Sequence, residues 1–131
     1  MEGTQKPIEL ILARNLMAGL STPAFLVDRD GTIVFYNDAA GQLLGVRFEE
    51  FGQAPPEQWG SRFGPFDEAG NRISYEQLPI TKALREGRPV HDRIRINSVD
   101  GTTHCIEVSA LPIQTTGGQK GAIAVFWEYD E

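Results

Sequence analysis

The first sustained apolar pattern runs from Ile8 to Ala18 (IELILARNLMA). Pro7 precedes it, where a missing N–H costs nothing in a first helical turn, and Gly19 follows as a stop. The spacing predicts a helix of an unusual kind. Ile8, Leu10, Ile11, Leu12, Leu16 and Met17 occupy more than one face, whereas a surface helix buries a single stripe. The second apolar face calls for a cover, and a partner subunit is one candidate.

Past Ser21-Thr22-Pro23 the pattern shortens to β-type runs. Ala24–Asp28 (AFLVD) and Thr32–Tyr36 (TIVFY) flank Asp28-Arg29-Asp30-Gly31, a hairpin signal. Asn37 follows as the N-cap of a short helix over Asp38–Leu44 that Gly45 closes. Residues 46–77 are rich in Gly and Pro yet carry Phe48, Phe51, Trp59, Phe63 and Phe66. So many rings predict short helical turns and loops packed on one another, not a disordered linker. Pro79 opens a further helix with Ile80, Ala83 and Leu84 on one side and Gly87 as its stop. Two strands, Val90–Asn97 and Thr102–Ile113, flank a turn at Asp100-Gly101. A last strand, Ala122–Tyr129, follows the loop Gly117-Gly118-Gln119-Lys120-Gly121. This order predicts one α+β domain with a five-stranded antiparallel sheet.

Alternate residues of a strand face opposite sides. Ile94 and Ile96 therefore oppose Arg93 and Arg95, and His104, Ile106, Val108 and Ala110 oppose Cys105, Glu107 and Ser109. These rows predict one sheet face turned to a core. Two strands lack that alternation. Phe25, Val27, Ala124 and Phe126 face inward, yet Leu26 and the row Ile123, Val125, Trp127 and Tyr129 opposite them are apolar as well, as in strands covered on both faces. The Ile8–Met17 helix is the obvious cover for that outer patch. A two-fold dimer would bury what one helix leaves, and Ile8, Leu10, Ile11, Leu12, Met17, Ile123, Val125 and Trp127 are its interface candidates. Packing of the helix within its own chain is the alternative.

Composition narrows the partners. At 131 residues there is room for one domain, and 40% apolar residues suffice for a core. A net charge of −6 argues against nucleic acid. No apolar stretch reaches bilayer-spanning length, so no membrane role is expected. The lone Cys105 rules out an internal disulfide and fits a reducing compartment such as the cytoplasm.

In order, these segments resemble a PAS domain of the kind common in bacterial sensor proteins. The opening strand, the Asp28-Arg29-Asp30-Gly31-Thr32 turn, the second strand, Asn37 and the short helix ending at Gly45 are similar to the family's start. The later stretches Phe66-Asp67-Glu68-Ala69-Gly70-Asn71, Leu78–Gly87, Asp100-Gly101, Glu107–Ile113 and Gly121–Phe126 are closer still. Residues 22–131 are thus expected to form the PAS domain, with helices on one sheet face, and residues 1–21 a flanking helix and dimerisation element. The resemblance makes the two doubly apolar strands central neighbours and implies a sensory module, not an enzyme. The family's frequent Asp-Ile-Thr ending corresponds to Glu128, Tyr129 and Asp130, so its threonine has no counterpart.

The resemblance also places a ligand pocket between the sheet and the helical middle. Its candidates are Phe25, Val27, Tyr36, Asn37, Phe51, Trp59, Leu84, Ile94, Ile96, His104, Ile106, Val108, Ala124 and Phe126. Phe63 and Phe66 belong to the same aromatic set, though such rings more commonly just fill a core. No metal ligand is assigned. Haem-binding relatives take an axial histidine from the helix equivalent to Ile80–Glu86, which has none; His91 faces outward and His104 sits at a strand end. Flavin photoreceptors of the family carry a reactive cysteine in the helical middle, where residues 46–77 have none. Neither cofactor is expected, and an unidentified small ligand is left open. His104 and Cys105, adjacent on a strand, point to opposite faces and do not make a nucleophile and base.

Two functions stand side by side at this point. One is a signal-transduction module acting by homodimerisation, on an effector domain or protein, with or without a small molecule in its core. The other is a receptor or carrier for a small apolar, fatty-acid-like ligand.

Overall fold

The computed structural model of the protein describes residues 7–129; Asp130, matched above to the family's strand ending, lies outside them. Helix α1 (Ile8–Ala18) precedes strands β1 (Ala24–Asp28) and β2 (Ile33–Tyr36). Helices α2 (Asp38–Leu44), α3 (Phe48–Phe51) and α4 (Pro56–Phe63) fill the middle, and a 3-10 turn at Tyr75–Gln77 leads into α5 (Pro79–Glu86). Strands β3 (Val90–Asn97), β4 (Thr103–Thr115) and β5 (Gly118–Glu128) follow. The five strands form one antiparallel sheet in the order β2-β1-β5-β4-β3.

Local chemistry accounts for the boundaries. The Asn37 carboxamide oxygen accepts from the Ala40 N–H at 3.0 Å and so caps α2. Gly45 ends that helix with φ 86°, a left-handed conformation that glycine adopts without strain. The Asp28 carboxylate accepts from the N–H groups of Asp30 and Thr32 and holds the β1–β2 turn. One expectation needs correcting. Strand β5 begins at Gly118, not Ala122, because the β4–β5 ladder continues through a register shift at Ile113/Gln114 to pair Gln114 with Gln119 and Thr115 with Gly118. The glycine-rich run that looks like a loop is mostly strand.

The sheet separates two cores. On its inner face Val27, Tyr36, Ile94, Ile96, Ile106, Val108, Ala124 and Phe126 pack beneath α2, α4 and α5. The outer face carries a smaller cluster of Leu10, Met17, Ala24, Leu26, Val34 and Phe35. Parity therefore placed Leu26 and Val27 correctly, on opposite faces. In β2 the alternation fails: Ile33 and Tyr36 point inward while Val34 and Phe35 both join the outer cluster. The cause is an irregularity in the pairing, where Leu26 faces Phe35 but Val27 faces Ile33.

Helix α1 lies over β1, β2 and β5. Leu10 and Met17, seven residues apart by their numbering, are its sheet-facing anchors, 2% and 1% exposed. The Arg14 guanidinium stacks 4.9 Å above the Phe35 ring. Each end of the sheet is bridged by a loop. Ile33 and Ala54 exchange hydrogen bonds of 2.8 and 3.1 Å beside β2, and Phe66 and Arg95 exchange bonds of 2.8 and 2.7 Å beside β3.

Candidate functional site

Between the inner sheet face and the helices lies a cavity of about 70 Å³. Its sheet side is Phe25, Ile94, Ile96, Ile106, Val108 and Phe126, and Trp59 closes it from α4, all anticipated from the sequence. Phe63 lines it too. Ile33, Leu44, Pro65, Leu78, Pro79 and Ile80 complete the wall and were not among the candidates. For Ile80 the signal was present, since it heads the apolar side of α5; for Ile33 the broken alternation of β2 concealed it.

The remaining candidates do not line the cavity. Val27, Leu84 and Ala124 are buried in the surrounding core, and Phe51 stacks against Phe63 at 5.3 Å between ring centres. Phe66 instead lies under the Arg72 guanidinium. Tyr36 donates its hydroxyl to the Val46 carbonyl at 2.6 Å. Burial, followed by the nearby Glu49 carboxylate, pushes its pKa up to about 12. Asn37, 1% exposed, is fully engaged as well. Its oxygen accepts from Ala24 (3.1 Å) and Ala40 (3.0 Å), while its nitrogen donates to the carbonyls of Met17 (3.1 Å) and Thr22 (2.9 Å). A carboxamide so used has nothing left for a ligand.

His104 also needs correcting as a pocket residue. It shares the inward row, but at the sheet's end its Nδ1 lies 2.7 Å from the Glu128 carboxylate, at the surface. His91 is outward as predicted, 2.9 Å from Glu107, which also meets Arg93 at 3.4 Å. Trp59 donates its indole N–H to the Gly31 carbonyl at 3.1 Å, anchoring α4 to the β1–β2 turn. Among the described residues no three His, Cys, Asp or Glu side chains gather as a metal site, and no helix is long and apolar enough to cross a membrane.

The second feature is the outer face. Leu10 and Met17, proposed as interface residues, are instead covered by their own sheet, so α1 does pack within its chain. The helix nevertheless exposes Ile8 (66%), Leu12 (61%) and Leu16 (68%), which recur every fourth residue as one stripe, with Ile11 beside them. Ile123 and Val125 are half-buried, whereas Trp127 and Leu111 stand exposed on the same sheet face.

A five-stranded antiparallel sheet in the order 2-1-5-4-3 carries helices that close an apolar cavity on one face. The family model described as PAS domain matches residues 21–129, and the chain belongs to the PAS domain family. Its fold is similar to the PAS domain of Bordetella pertussis BvgS (TM-score 0.61, 20% identity, 94% of this chain and 87% of that one). It is likewise similar to a PAS domain from Colwellia psychrerythraea (TM-score 0.65, 19% identity, 92% and 96%). A Rhodobacter sphaeroides LOV protein superposes with a TM-score of 0.72 at 13% identity, over 95% of this chain and 70% of that one. At such identities the likeness speaks to fold. No curated protein sequence matches the chain. As a PAS domain it is a module of the sensory and signal-transduction class, whose members are typically not enzymes.

Proposed function

We propose that this PAS domain transmits a signal as a homodimer, through residues 1–21 flanking a core of residues 22–131. The observation that carries this is the apolar stripe Ile8, Leu12 and Leu16 on a helix whose other side is already satisfied by its own sheet. Trp127 and Leu111 are further exposed apolar groups, on the outer face of the sheet that the helix covers in part. A two-fold partner buries such a surface by the same contact made twice. Burial is worth about 25 cal/mol per Å² of apolar area, against an association cost of several kcal/mol. Sedimentation equilibrium of the wild type and of Leu12→Glu/Leu16→Glu tests this. A dimer that the double variant converts to folded monomer supports the reading; a wild type that stays monomeric at high micromolar concentration refutes it.

The cavity supports a second element, sensing of a small molecule in the core. A fatty-acid-like carrier function draws less support, because pockets for drug-sized ligands run to about 300–1,000 Å³ and this one is about 70 Å³. The lone Cys105 and the net charge of −6 favour a cytoplasmic module acting on a protein effector, without nucleic acid.

A further inference from the structure

We propose that the inner cavity selects small, uncharged, nonpolar solutes of a few heavy atoms, a dissolved apolar gas or short hydrocarbon, and rejects charged or polar cofactors. The proposal rests on the cavity being the module's sensing site and adds the class of molecule sensed. Size is the first argument. A cavity of about 150 Å³ lined by aliphatic and aromatic groups admits benzene or xenon, and this one has about half that volume, about 70 Å³.

Chemistry is the second. Every lining side chain is apolar, Trp59 excepted, and its indole N–H is committed to the Gly31 carbonyl. Of the polar side chains buried in the core, Tyr36 and Asn37 are committed, to Val46 and to backbone groups, and neither Ser98 nor Thr81, whose hydroxyl is unpaired, lines the cavity. A polar or charged guest would therefore shed its hydration and recover no hydrogen bond, at a cost of several kcal/mol. Water meets the same obstacle. The space is wide enough for it, but a buried water needs two to four polar partners. Water is therefore a weak competitor there, and an apolar solute has little bound water to displace.

Amide and indole NMR of the full chain under xenon, with decanoate, flavin mononucleotide and benzene as comparison probes, tests the proposal. The expected result is saturable xenon shifts centred on the Trp59 indole N–H and the Ile106 and Val108 amides, and none there from the other three. Phe126→Leu, which enlarges the space, should admit benzene. Ile80→Phe should weaken xenon binding at least tenfold. Where it fails to fold, Val108→Ile, one methylene larger, should weaken it by a smaller factor. Absence of saturable xenon shifts at these groups overturns the proposal, as does decanoate or flavin bound there in wild type. The sensory reading is judged separately, by whether xenon occupancy moves the monomer–dimer midpoint.

Discussion

The Asn37 side-chain nitrogen lies 3.1 Å from the carbonyl oxygen of Met17 and donates to it, although the two residues belong to different layers of the molecule. Met17 is an anchor of α1 on the outer face, and Asn37 caps α2 on the inner one. One carboxamide thus ties the flanking helix to the domain. Asn37→Asp keeps both accepting contacts but sets a carboxylate against the Met17 and Thr22 carbonyls. Hydrogen exchange should then accelerate in α1 while α2 stays protected. Asn37→Ala abandons all of these side-chain hydrogen bonds and should cost about 2–4 kcal/mol in urea unfolding. Unchanged exchange in α1 would mean that Leu10 and Met17 alone hold it.

Ile106 and Glu107 are neighbours that face opposite ways. Ile106 is 2% exposed against the cavity, while Glu107 meets His91 and Arg93 on the outer surface. Ile106→Asp should lose about 4 kcal/mol or more, through a buried unpaired carboxylate, and leave little folded protein. Glu107→Ala should lose less than about 1 kcal/mol, as expected for exposed ion pairs. Thermal unfolding of both distinguishes this register from one slipped by a residue, which would reverse the order.

Tyr36 makes stability depend on alkaline pH. Its folded pKa, about 12, exceeds the ordinary 10.0 because burial disfavours the phenolate. Between those values the folded state holds a proton that the unfolded chain releases. The contribution is therefore complete below pH 10.0 and falls away as pH rises toward about 12. Tyr36→Phe should flatten that part of the pH–stability curve. A tyrosinate absorbance rise in which all three tyrosines titrate with a midpoint at pH 10.0, the fold intact, would contradict the burial argument.

Gly121 sets how closely α1 approaches the sheet. A Cβ there would come within 2.3 Å of the Val27 carbonyl oxygen and 2.9 Å of Leu10 Cδ2. The leucine can move aside, but the carbonyl belongs to the β1–β5 ladder. Gly121→Ala should cost about 1–3 kcal/mol in chemical denaturation, and adding Leu10→Ala should not restore it.

What the sequence disclosed depended on whether a residue's role was local. The element order, the inward rows of β3 and β4, and the caps at Asn37, Gly45 and Gly87 follow from short-range periodicity and backbone preference. Leu10 and Met17 were assigned to the helix's free side because a helix with apolar groups on several faces does not say which one its own sheet takes. The cavity wall was half legible. Strand parity found Ile94, Ile96, Ile106 and Val108, but Leu44, Pro65 and Leu78 come from separate helical and loop segments. Their convergence is a property of the closed chain, with no periodicity to announce it.

The loop bridges at Ile33–Ala54 and Phe66–Arg95 carry a consequence for aggregation. An exposed strand at a sheet's margin is a template for another chain, which can add alongside it by backbone hydrogen bonding. Here a foreign strand approaching β2 meets the Ala54 segment already bonded to Ile33, and one approaching β3 meets Phe66 bonded to Arg95. Both margins are interrupted by the protein's own backbone. Growth by strand addition is thereby obstructed at either end, which leaves backbone pairing a poor route from one copy of the fold to the next.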